Sequence, residues 1–242
     1  MDVAERVVVI TGATGGVGRS AARAFADLGV RLALVGSNQQ RLDRLIGDLP
    51  ANPQHIMSQR ADLRQPAEAQ AAAQAIHARF GAIHIVLHLV GGWAGGAPIV
   101  ASDPADLASM LEQHVWTTWH MLQAFVPYQT AAGWGRLLIV SSPAASAPPA
   151  NASVYAAAKA AEEALILTLA QEIDGSGVTA NILQVRAVDT EHQRTQAPTS
   201  GNADWTTPEE LIAAMHFLCS EEAGLINGVR VPFLGHTRTP AP

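Results

Sequence analysis

Short apolar runs alternate along the chain with longer segments whose apolar positions recur at helical spacing. The runs are RVVVI, VRLALV, HIMSQ, AIHIVLHLV, GRLLIVS, GVTANILQV and GVRVPFL. Between them, helices are predicted at 17–28, 38–48, 66–80, 104–130, 153–173 and 207–220. Strands that are apolar throughout, in strict alternation with helices, predict a parallel sheet covered on both faces. That is an α/β doubly wound fold of seven parallel strands. The links are short, there is no internal repeat, and no Ser/Gly linker divides the chain, so 1–242 is expected to be a single domain. Two loops break the economy: 143–152 (PAASAPPANA) and 187–207 (AVDTEHQRTQAPTSGNADWTT). Both follow a predicted strand, where such sheets form their ligand crevice. They are candidates for substrate contacts, and the second for a mobile lid.

Composition narrows the partners. A net charge of −6 and scattered Lys and Arg leave no basic stripe for a phosphate backbone, which argues against nucleic acid. No apolar run reaches the length of a spanning helix and no leader precedes the first strand, so a soluble, cytoplasmic protein without membrane attachment is expected. The single cysteine, Cys219, sits in the apolar LIAAMHFLCS and reads as core. The nine histidines are dispersed without a recognisable ligand set, and no metal site is expected.

Two constellations carry chemistry. In VVVITGATGGVGRSAARAF, Gly12, Gly16 and Gly18 lie between the first strand and the first helix. Glycine there allows a tight turn and close approach of a pyrophosphate to the free N–H groups of the helix N-terminus. In SVYAAAKAAEEA, Tyr155 and Lys159 are four apart and share one helix face. The pair also suits an ordinary solvated face, with Lys159 reaching Glu163 one turn later. Their surroundings decide between the two.

Taken together, the motifs resemble those of the short-chain dehydrogenases/reductases, over almost the whole chain. TGATGGVG (Thr11–Gly18) resembles the family's TGxxxGxG loop, ADL (61–63) its adenine-side Asp, GRLLIVSS its serine at Ser142, and YAAAK its YxxxK, with the usual Ser-to-Tyr spacing. The resemblance implies a Rossmann-like fold holding NADPH or NADH. Thr11, Gly12, Thr14, Gly16, Val17, Gly18, Ser37, Asp62, Leu63, Val90, Gly91, Tyr155, Lys159 and Thr190 would bind the cofactor. It also implies that Tyr155 is the general acid/base, that Lys159 favours its phenolate and holds the nicotinamide ribose, and that Ser142 steadies the substrate oxygen. Such relatives assemble as homodimers or homotetramers, which points to helices 104–130 and 153–173 as an interface.

Departures from the family pattern are equally legible. The usual NNAG reads HLVG at 88–91, the helix Asn that serves a proton relay aligns with His114, and PGxxxT becomes VRAVDT, keeping Thr190. A histidine can relay protons, and a buried structural role fits His114 as well. GGWAGG (91–96), VWTT and ADWTTPEEL (203–211) resemble loops of dihydropteridine reductase, which makes Trp93 and Trp205 candidates to stack on a flat heteroaromatic substrate. Ser142 departs from that enzyme and points to a different substrate. After the second strand, LVGSNQQRL offers no acidic residue to bind a ribose 2′-hydroxyl, which tilts the reading towards NADPH. Asp62 has a second reading, as the cap of the helix that starts near Pro66. The leading function is an NAD(P)-dependent oxidoreductase acting on a small carbonyl, alcohol or heteroaromatic molecule. A pterin reductase similar to dihydropteridine reductase is the alternative within that class, and a dinucleotide-binding redox sensor without turnover and a scaffold are the readings from other classes.

Overall fold

The computed structural model describes residues 5–50, 52 and 54–233. Seven strands form one sheet: β1 (Val7–Thr11), β2 (Arg31–Gly36), β3 (Ile56–Arg60), β4 (Ile85–His88), β5 (Gly135–Ser141), β6 (Val178–Val185) and β7 (Arg230–Phe233). Their order is β3-β2-β1-β4-β5-β6-β7 and every pairing is parallel. The last predicted run ends at Leu234, outside the described residues. The chain winds outward from β1 to β3, then returns to the far side of β1 for β4. That reversal opens a crevice beyond the carboxyl ends of β1 and β4.

Alternate strand residues feed two cores. Val7 and Val9 point to the layer built from α3 (Pro66–Phe80), α5 (Thr117–Ala131) and α6 (Ser153–Glu172). Val8 and Ile10 point to the layer of α1 (Gly16–Asp27), α2 (Gln39–Gly47) and α8 (Pro208–Leu218). The central strands β1, β2 and β4 are buried on both faces and are apolar almost throughout, while the edge strands β3 and β7 are partly exposed. Cys219 lies wholly inside the second layer, where burial pushes its thiol up to about 12 and leaves it inert.

The predicted helix 104–130 is three consecutive segments: α4 (Pro104–Met110), a π-helical turn (Leu111–Trp116) and α5. The wider turn sets the aim of the side chains it carries, His114 among them. The predicted lid is a stitched flap that carries the short helix α7 (Gln193–Gln196). The buried Asp189 accepts from the N–H groups of Gln193 (2.7 Å) and Arg194 (2.8 Å), and Val188 and Thr206 form a parallel bridge. No helix of the described residues is long and apolar enough to cross a membrane.

Candidate active site

Two adjoining cavities, of about 480 and 280 Å³, lie over the carboxyl ends of the strands and share Gly15, Leu89, Val90 and Gly91. The glycines of the first loop are there for space. Gly12 has φ +69°, and a Cβ on it would lie 2.6 Å from the Leu89 carbonyl oxygen. A Cβ on Gly18 would lie 2.3 Å from the Gly12 oxygen. Loop, helix and the end of β4 are thus pressed together more closely than side chains at these positions would allow, leaving a cradle at the crevice. Thr190 packs its methyl over Gly16, bringing the flap onto the same loop.

The larger cavity gathers Gly12, Thr14, Ser37, Asp62, Leu63, Val90 and Gly91 from the sequence-predicted set. Asp62 is no helix cap: Gln65 holds that position before α3. Its carboxylate instead pairs with Arg64 at 2.6 Å, and that hydrogen bond holds the carboxyl below its usual range. Arg41 and Gln113 also line this cavity, and sequence reasoning did not single them out as site residues. Gln113 donates to the Gly91 carbonyl at 2.9 Å. Arg41 was within reach of inference, as the first cation after a strand end that lacks an acid.

The smaller cavity gathers Gly16, Val17, Gly18, His114, Tyr155 and Lys159. Tyr155 is partly buried, with its ring edge-on to His114 at 5.8 Å between centroids. Lys159 is buried and donates to the Val140 carbonyl (2.8 Å) and to Glu162 Oε2 (2.7 Å). The expected partner was Glu163, but that carboxylate faces the sheet, accepting from Gln184 (2.8 Å) and Arg230 (2.6 Å). An i,i+3 step places Glu162 over Lys159, while i,i+4 turns Glu163 towards β6 and β7. Glu162, the buried partner of Lys159, is a further residue that sequence reasoning missed, and its acid three residues after the lysine was the available signal.

His114 is fully buried, and its Nε2 donates to the Gly92 carbonyl at 3.0 Å. Burial, followed by the Lys159 charge, lowers its pKa to about 4, so the ring is neutral near pH 7. His88, in place of the family's first Asn, shares a hydrogen bond with Thr11 Oγ1 at 2.7 Å and ties β4 to β1. Thr11 therefore supports the crevice from below and lines neither cavity. Ser142 accepts from the Ala144 N–H at 3.2 Å, while its neighbour Ser141 is the serine that lines the smaller cavity. Trp93, 65% exposed, and Trp205, partly buried, line neither cavity.

A parallel sheet with this strand order, a glycine cradle at its reversal point and a Tyr/Lys pair across the crevice define a nucleotide-binding oxidoreductase. The family model for short chain dehydrogenases matches residues 6–201, and the chain belongs to that family of NAD(P)-dependent dehydrogenases/reductases. Over 233 residues it is 31% identical to D-threitol dehydrogenase of Mycolicibacterium smegmatis, covering 92% of this chain and 89% of that protein. A short chain dehydrogenase from Bacillus anthracis superposes with a TM-score of 0.83 at 26% identity, covering 96% of this chain and 95% of that one. The NADH complex of 3-ketoacyl-(acyl-carrier-protein) reductase from Brucella melitensis gives a TM-score of 0.85 at 24% identity, covering 96% of this chain and 97% of that one. That last likeness speaks to the fold alone.

Proposed function

We propose that the protein moves hydride between a nicotinamide cofactor and a small carbonyl or alcohol, with Tyr155 as the general acid/base. The observation that carries the reading is the smaller cavity, where Tyr155, Lys159 and His114 face the glycine cradle. The cradle suits a pyrophosphate, because Gly12 and Gly18 let the loop close tightly on its neighbours and the first turn of α1, Gly16 to Gly18, lines the cavity with the N-terminal end of the helix. The cofactor supplies or takes the hydride. In the reductive direction Tyr155 gives its phenolic proton to the carbonyl oxygen as the carbon gains hydride, and the C=O group becomes an alcohol. Lys159 holds the ribose. Ser142 keeps its O–H free to donate to the developing oxyanion, since its oxygen is the acceptor for Ala144. Neutral His114 walls the cavity and leaves proton donation to Tyr155.

The test is to titrate the pure protein with NADPH and NADH by nicotinamide fluorescence. Oxidation of the bound cofactor is then followed with small ketoses, a carbonyl panel and quinonoid dihydropterin, and reduction of NAD(P)⁺ with D-threitol. Binding with turnover on a carbonyl or polyol supports the reading. Tight binding without turnover on any of them favours a redox sensor, and turnover on the pterin alone would favour a pterin reductase with Trp93 and Trp205 stacking on its substrate.

NADPH is the expected preference. Ser37 and Arg41 line the outer cavity, and the Asp62 carboxylate there is paired with Arg64. A guanidinium reading the 2′-phosphate makes charge-assisted bonds. Arg41→Ala is therefore expected to weaken NADPH about tenfold while leaving NADH within about twofold. Equal losses for both would show that Arg41 does not read the phosphate.

The protein is also expected to form a homodimer or homotetramer through α4–α5 and α6. Leu107, Trp116 and Trp119 stand exposed on that first helical stretch, apolar surface of the kind that marks an interface. Equilibrium sedimentation should give a dimer or tetramer at micromolar concentration, and a monomer would overturn this.

A further inference from the structure

We propose that Glu162 is a positioning residue of the reaction centre, fixing the Lys159 ammonium so that one of its N–H groups is left for the cofactor ribose. The inference rests on the function proposed above and concerns a residue outside the Ser/Tyr/Lys set. Lys159 is 4% exposed and Glu162 1% exposed, which sets their 2.7 Å contact apart from a surface i,i+3 pair. A buried pair is a poor device for stability, because desolvation offsets its attraction and an apolar pair would pack as well. What it supplies here is geometry. Glu162 Oε2 takes one ammonium N–H and the Val140 carbonyl takes a second. An ammonium has three donors, so one remains for the cavity that Lys159 lines.

The carboxylate is itself held. Thr118 on α5 donates to Glu162 Oε1 at 3.1 Å. His114 Nδ1, also from the α5 side, stands 3.7 Å from Oε2 and has no hydrogen-bond partner. Since Nε2 of that ring donates to Gly92, Nδ1 carries the lone pair of a neutral imidazole and faces an anion with no hydrogen between them. A proton on Glu162 would fill this place. Ionised, Glu162 grips Lys159; protonated, it turns its O–H towards His114 and loosens that grip. Burial pushes the Glu162 carboxyl up, against the opposing pull of Lys159 and Thr118, which brings this step above the ordinary carboxylate range.

The remaining groups around the pair are accounted for. Glu163, next on α6, repels Glu162 but is engaged by Arg230 and Gln184. His88 on β4 lies within the field of Lys159, and burial lowers it to about 3. With His114 at about 4, neither histidine changes charge where Glu162 is expected to.

The experiment is NADH binding followed by fluorescence from about pH 5 to about pH 9, for the parent, Glu162→Gln and Glu162→Asp. In the parent, affinity is expected to rise about tenfold as Glu162 ionises, the scale of one charge-assisted hydrogen bond. Glu162→Gln keeps the shape without the charge, so its affinity should stay at the parent's low-pH level throughout. Glu162→Asp should restore the step. If Glu162→Gln does not fold, Glu162→Met removes the same charge with a side chain of similar length and should give the same flat profile. A pH step retained in the charge-free variant, or absent from the parent, overturns the inference. A parent that binds neither NADH nor NADPH at any pH overturns the proposed function instead.

Discussion

Tyr155→Phe is expected to lower turnover at least about a hundredfold while NADH affinity stays within about threefold. The hydroxyl is the one atom removed, and it makes no hydrogen bond among the described residues, so no buried partner is orphaned by its loss. The ring remains between Val154, Ala158 and Met110 and edge-on to His114. Stability should therefore hold, and the thermal midpoint is the control that separates a chemical loss from a folding one. Lys159 keeps both of its protein contacts in the variant, which is why affinity should survive. An unchanged rate would place the proton donor elsewhere. His114 would be the first suspect, and its only N–H is already given to Gly92.

Gly12→Ala is expected to destabilise the protein by about 2–4 kcal/mol, from a left-handed residue given a side chain and an overpacked contact. The new methyl would stand 2.6 Å from the Leu89 oxygen and 2.8 Å from the Val90 nitrogen. These are backbone atoms, and β4 behind them is pinned between β1 and β5, so the loop must move instead. That displacement closes the cradle. NADH affinity should fall with stability, by at least about tenfold, and the thermal midpoint by about 5–15 °C for a chain of this size. Differential scanning calorimetry and the fluorescence titration read the two effects separately. A variant with parental midpoint and affinity would show that the loop relaxes without loss. Gly29, also at positive φ but with open space around it, is the control: there only the backbone strain is incurred.

Much of this site was legible along the chain because its chemistry is local. The glycine cradle, the Tyr155–Lys159 step and the crevice loops follow from residues a few positions apart, and helix and strand periodicities carry them to one end of the sheet. The apolar strands likewise announced a sheet buried on both faces. Other features needed the packed molecule. Whether Lys159 pairs with Glu162 or Glu163 is a choice between two neighbours on one helix. It is decided by what stands opposite: Thr118 and His114 on one side, Gln184 and Arg230 on the other. The substitution of His88 for the family's asparagine reads as a loss until β4 is laid beside β1 and Thr11 meets the ring. Trp93 and Trp205 were marked by loops that resemble those of dihydropteridine reductase, and in the folded chain neither lines the two cavities. Sequence by itself determined most of the elements, the cradle and the placing of Tyr155 and Lys159 on one helix face, because short-range geometry is fixed by backbone periodicity. The tertiary structure alone decided which buried charges meet, because the groups that choose between Glu162 and Glu163 lie tens of residues away and are brought in by packing.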